Sequence, residues 1–177
     1  VRVLYATAYE AVEAKDAARL DEVMELMRPY DTGQDYIFKE MDGRATGLLR
    51  VPNMEWGLKM MYHEKMGEVE KYKAAEKIYT EKIWDNAKGL DEVAWRRAKQ
   101  TNDMEKLEIA RSWSERAIEL QPTSSHVHTL AFILFKMKDL ESAKTQAERA
   151  LMLAEEEGKD SSKIKILLGK IAKEDRP

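Results

Sequence analysis

An all-α fold is predicted: antiparallel helix pairs stacked side by side and closed by a helix at the C-terminus. Three observations lead there. Within the stretch Trp113–Glu155, two amphipathic helical patterns flank a short polar break, and Pro122 stands just before them. That makes a helix-turn-helix unit of roughly 34 residues, a length at which solenoid repeats recur. Second, Val127, Leu130, Ala131 and Leu134 share one face of the first helix, as Leu140, Ala143, Ala147, Ala150 and Leu151 do on the second. The alanines let the second helix lie close to its neighbours. Third, only 8 glycines and 4 prolines occur in 177 residues, which fits long helices joined by brief turns.

The elements follow in order. Leu4, Ala8, Ala11 and Val12 form an apolar stripe over residues 3–14. A break at Lys15–Asp16 follows, then a second stripe of Leu20, Val23, Met24 and Met27 that Pro29 ends. This is a degenerate first hairpin. Residues 30–52 are interrupted by Gly33, Gly43, Gly47 and Pro52, and two short helices are expected there, one from Tyr36 to about Met41 and one ending at Leu48–Leu49. The GRATG run at 43–47 lacks the lysine and hydroxyl residue that a phosphate loop needs, so it reads as a turn. The expected organisation is therefore an irregular N-terminal part, 1–52, and a repeat region, 53–177.

In that region Asn53 is placed to cap a helix with Met54, Leu58, Met61 and Tyr62. Gly67 supplies a turn, and Val69, Tyr72, Ala75, Ile78, Tyr79 and Ile83 mark the second helix of a pair at about 53–85. The next pair, 87–122, carries Leu90, Val93, Ala94 and Ala98, then Leu107, Ala110, Trp113, Ala117 and Ile118. Its turn, Gln100 to Asp103, reads as enlarged. The last pair spans 123–156, with Asp139 as N-cap of its second helix. Ile164, Leu167, Leu168 and Ile171 then stripe a lysine-rich helix at about 160–174, N-capped by Ser161 or Ser162, which suits a solenoid's polar end cap.

These residues resemble the tetratricopeptide repeat. Leu130–Ala131, Ala143 and Ala150 match its small and aliphatic positions, and Ala110, Ala117, Ile118, Leu120 and Pro122 match the end of a preceding copy. Lys138 stands where that family usually has glycine, and Val127 where it prefers tryptophan. Ala94 to Ala110 spans four residues more than the family's spacing. The resemblance implies a right-handed superhelical stack whose first helices line a concave groove. It places Asp91, Trp95, Ala98 and Lys99 of one pair, and Ser125, His128, Phe132, Phe135 and Lys136 of the next, on that groove. Phe132 and Phe135 lie off the Leu130/Leu134 stripe, so a peptide or the cap helix must cover them.

Over about the last ninety residues the order of pieces is also similar to the helical region that follows a thioredoxin-like domain in some bacterial proteins of the Bacteroidetes type. Ala94–Trp95, the turn to Asp103, Ala117–Pro122 and Thr129–Ala131 carry that likeness. It implies a periplasmic or otherwise extracytoplasmic setting, with redox chemistry in another domain; without it the compartment is unassigned.

Composition narrows the function. Charged residues make up 36% of the chain, interleaved to a net −3, which argues against a nucleic-acid footprint. The absence of cysteine excludes disulfides, zinc thiolates and a cysteine nucleophile. No apolar run approaches a membrane span, and no signal peptide is visible, although a start at Val1 within a helical pattern suggests a fragment or processed chain. His126 and His128 are two apart and point to different sides of a helix, and His63 is solitary, so no metal or other cofactor is expected. The four tryptophans read first as repeat packing and second as binding anchors. The expected function is a non-catalytic module for protein or peptide. The alternative is a structural or oligomerisation domain appended to a thioredoxin-like redox domain, with a homodimer as one form.

Overall fold

The computed structural model describes residues 2–30, 35–39, 45–50 and 54–175. Its architecture is helical, with nine α-helices among the described residues. They fall into two compact units, Val1–Ile83 and Trp84–Pro177.

In the first unit α1 (Arg2–Ala14) and α2 (Ala17–Met27) form a hairpin. Ala8, Ala11 and Val12 of α1 meet Leu20, Val23, Met24 and Met27 of α2 in one apolar core. A 3₁₀ turn, Arg28–Tyr30, follows α2, as Pro29 requires. Helices α3 (Met54–Met66) and α4 (Val69–Lys82) form the next pair. Leu58 of α3 is buried in the same core as α1 and α2, with Met61 and Tyr62 packed beside it. Helix α3 thus shares one core with the first hairpin, within the unit that ends at Ile83. The apolar stripe of α4 is narrower than its sequence suggests. Val69 is exposed, and Ala75 and Thr80 are its buried positions.

Between α2 and α3 lie two strands, β1 (Asp35–Lys39) and β2 (Ala45–Arg50), paired antiparallel. This corrects the expectation of short helices over 36–41 and up to Leu49. Tyr-Ile-Phe is rich in strand-favouring residues, and a glycine at 47 disfavours a helix. A segment this short would not hold a helix without long-range packing. The expected cap Asn53 and the breakers Gly33, Gly43 and Pro52 lie outside the described residues.

The second unit runs α5 (Ala87–Gln100), α6 (Met104–Leu120), α7 (Ser124–Lys136), α8 (Leu140–Glu156) and α9 (Ser162–Glu174). Each helix packs on the next, and in addition α5 packs on α7 and α7 on α9. First helices of successive pairs are thus neighbours, as α1 and α3 are in the other unit. Fully buried alanines (Ala94 and Ala98 on α5, Ala110 and Ala117 on α6, Ala131 on α7, Ala143, Ala147 and Ala150 on α8) make the close approaches possible.

Helix starts are set by side chains that accept from otherwise unpaired amides of the first turn. Asn86 accepts from Gly89 N, Asp103 from Lys106 N, Thr123 from His126 N and Asp139 from Ser142 N, at 3.0–3.3 Å. At α9 the expected cap is displaced by one residue. Ser161 makes no side-chain cap bond, and Asp160 Oδ1 accepts from both Ser162 N (3.0 Å) and Ser162 Oγ (2.6 Å).

Helix ends share a second device. After α1, α3, α7 and α8 the chain passes through one left-handed residue, Lys15 (φ 58°), Gly67 (71°), Lys138 (66°) and Gly158 (64°). In each case the next amide reaches back five residues: Asp16 N to Ala11 O, Glu68 N to His63 O, Asp139 N to Leu134 O and Lys159 N to Ala154 O, at 2.9–3.1 Å. These are Schellman ends, which satisfy carbonyls that the helix terminus leaves open. In three of them an acidic residue follows the left-handed position and sits at the N-cap of the next helix.

The four additional residues between Ala94 and Ala110 do not enlarge the turn. Residues 101–103 join α5 to α6, just as 137–139 join α7 to α8. The insertion is taken up within the helices, chiefly as an added first turn of α6 ahead of Leu107. Four residues are close to one helical turn of 3.6, so Ala110 and Ala117 keep the face that a shorter helix would give them.

Candidate functional site

Asp91, Trp95 and Lys99 recur every four residues on α5 and so share a face. Because α5 packs on α7, that face meets the one carrying His128 and Phe132. The Trp95 and Phe132 rings lie 4.8 Å apart, tilted by 49°, and Trp95 and His128 lie 5.7 Å apart, tilted by 38°. These separations fall in the range of favourable aromatic pairs. All three side chains remain half-buried, and Lys99, exposed at the rim, holds its ammonium 5.9 Å from the Trp95 ring.

The remaining sequence-derived positions divide. Ser125 is exposed on the first turn of α7, and its carbonyl accepts from Thr129 Oγ1 at 3.3 Å. Phe135 and Phe132 both pack against the core that α7 and α8 share with Leu167 and Ile171 of α9. Phe135 also lies under the Lys138 ammonium, 5.6 Å away, and Lys138 pairs with Glu174 of α9 at 2.6 Å. Lys136 donates to the Thr101 carbonyl at 2.5 Å, pinning the end of α7 to the α5–α6 turn. It is a tie between successive helix pairs.

Asp91 is half-buried, and its Oδ1 is fully enclosed without a hydrogen-bond partner among the described residues. Burial pushes its carboxyl above the usual range; the Thr129 hydroxyl and the charge of His126 oppose that rise, and Glu92 adds to it. His128 moves downward, first through burial and then through the Lys163 charge on α9, so the aromatic cluster carries a neutral imidazole at neutral pH. His126 is buried, and its Nδ1 lies 2.6 Å from the Gln121 carbonyl. A carbonyl only accepts, so Nδ1 carries the proton.

Thr129, His126 and Lys163 are not among the sequence-derived site positions: His126 is weighed only as a metal ligand, and Thr129 only within the Thr129–Ala131 likeness. Their signal, a polar residue on the apolar side of α7, becomes legible only when α5 is laid against it. Of the tryptophans, Trp113 is buried beneath the Arg97 guanidinium at 4.8 Å, whereas Trp84 is 44% exposed with Arg116 at 5.9 Å. Trp56 is half-buried beside Lys59 at 4.5 Å.

The arrangement offers stacking surfaces, a neutral imidazole and a rim cation. Among the described residues no three His, Asp or Glu side chains gather to hold a metal ion, and no helix is long and apolar enough to cross a membrane. Compared with protein-family models, with curated proteins and with solved structures, the chain matches none.

Proposed function

We propose that this chain is a non-catalytic helical-repeat module that binds a peptide or protein segment along the first helices of its pairs, in a right-handed stack of the tetratricopeptide kind. One observation carries the reading. Trp95, His128 and Phe132, drawn from two successive first helices, gather into a cluster that the fold leaves half-open. Aromatic side chains of this kind are the usual anchors of binding energy. An extended or helical segment crossing α5 and α7 would lay an apolar side chain on them, with Lys99 and Ser125 fixing its direction.

Selection from a random peptide library against the 177-residue chain tests this. Enriched peptides should bind Trp95→Ala at least about tenfold more weakly, with unchanged circular dichroism, since loss of a tryptophan anchor costs about 2 kcal/mol or more. Lys99→Glu, at an exposed position, should also shift the enriched sequences. An absence of enrichment, or equal binding by Trp95→Ala, refutes the reading. Lys136 is a poor choice of variant because it ties α7 to Thr101. The alternative, a structural or oligomerisation domain beside a redox domain, has one observation of its own, an edge of β1 with no strand beside it among the described residues.

A further inference from the structure

We infer that β1 is a homodimer interface, where two copies of the chain join their hairpins edge to edge into one four-stranded antiparallel sheet. The axis would pass through Ile37. This is independent of the peptide-binding face.

The backbone supplies the first argument. β1 pairs with β2, and no third strand joins them among the described residues. A lone two-stranded hairpin is marginal in water, and three or more strands are the usual remedy. No described strand lies along the outer edge of β1, and a strand edge of this kind offers N–H and C=O groups suited to another strand.

The two edges are not equivalent. The register runs Phe38↔Gly47 and then Lys39↔Ala45, so β2 carries one additional residue, Thr46, at a bulge. Bulges twist an edge and interrupt its pairing, and a glycine weakens it further. β1 has five consecutive residues with no bulge, glycine or proline.

The order of residues in β1 selects the occupant. Asp-Tyr-Ile-Phe-Lys keeps its chemistry when matched antiparallel to itself. Centred on Ile37, the pairing puts Asp35 at the register position opposite Lys39 of the second copy, Tyr36 opposite Phe38, and Ile37 opposite its equivalent. Opposite charges and aromatic pairs at such positions stabilise a sheet, and like charges destabilise it. Parallel pairing would set Asp35 against Asp35 and Lys39 against Lys39. A residue set that complements itself about a two-fold axis is what an isologous interface needs.

Sedimentation equilibrium of the 177-residue chain between about 1 µM and 1 mM tests this. The chain should dimerise. Lys39→Asp puts like charges at both symmetric positions and should weaken the dimer about tenfold or more, and Asp35→Lys should do the same. An equimolar mixture of the two variants should form a heterodimer of near-original affinity, because each aspartate then meets a lysine. Each variant brings any defect of its own hairpin into the mixture, so recovery reports pairing between copies. A chain that stays monomeric, a dimer insensitive to Lys39→Asp, or a mixture no tighter than either variant overturns the inference.

Discussion

Glu157 closes the last helix pair. Its Oε1 accepts from Ser124 N at 2.9 Å and its Oε2 from Ser124 Oγ at 2.6 Å, while Lys159 Nζ pairs with it at 2.8 Å. Ser124 opens α7, so a carboxylate from the end of α8 satisfies an amide that the start of α7 leaves unpaired, at the positive end of that helix. Led by Lys159 and then by the Ser124 hydroxyl and amide, these contacts hold its carboxyl at about 2 against an ordinary 4.5. Such a difference corresponds to at most about 3 kcal/mol of stability. The group stands at the surface, where solvent and salt weaken each contact, so about 1–2 kcal/mol is expected. The folded-state value is depressed. The stabilisation is therefore complete above pH 4.5, falls as the pH drops through that value, and is gone below about 2. Glu157→Gln keeps the shape without the charge. Urea unfolding should show it less stable than the parent chain by about 1–2 kcal/mol at pH 7, with the gap roughly halved near pH 3. An equal gap at both pH values, or none at pH 7, would refute the claim that an ionised Glu157 holds α7 and α8 together.

Asp91 works in the opposite direction. Its folded-state carboxyl is raised above its unfolded value near 3.8, so this residue destabilises the chain at neutral pH and ceases to do so as the pH falls through its folded value towards 3.8. Asp91→Asn should gain about 1 kcal/mol at pH 7 by chemical unfolding and lose that advantage on acidification; a variant less stable at pH 7 and indifferent to pH would contradict the assignment. At the α1–α2 turn, Lys15→Gly removes the cost of a side chain at φ 58° and should raise stability by about 0.5–1 kcal/mol, read as a higher thermal midpoint. A lower midpoint would show that the left-handed position carries no strain there.

The helices were legible where local chemistry decides them. Asp139 caps α8 as its sequence position indicates, Pro29 stops α2, and Gly67 makes the left-handed turn that only its lack of a side chain makes cheap. Lys138 shows the limit of such reading. A lysine in a glycine position looked like a departure from the repeat, yet the backbone adopts the same Schellman end, because tertiary packing of α7 on α8 offsets a local cost of order 1 kcal/mol. The strands were missed for a related reason. Tyr36–Phe38 and Leu48–Leu49 are too short for a period of two to be told from a helical one, and what specifies them is their pairing with each other.

For the site, helical spacing was enough to place Asp91, Trp95 and Lys99 on one face, since a four-residue recurrence fixes direction whatever surrounds it. It was not enough to say what each position meets, because that depends on neighbours of α7 from two sides. Phe135 and Lys136 are adjacent in sequence but meet different partners, one the core that α7 and α8 share with α9 and one the α5–α6 turn. Phe132 packs both against the core that α7 and α8 share with α9 and against Trp95 of α5. The cluster lies where α5 meets α7 with its rings half-buried, and on the proposed reading a ligand would gain most there, where the anchors are already held in place by packing behind them.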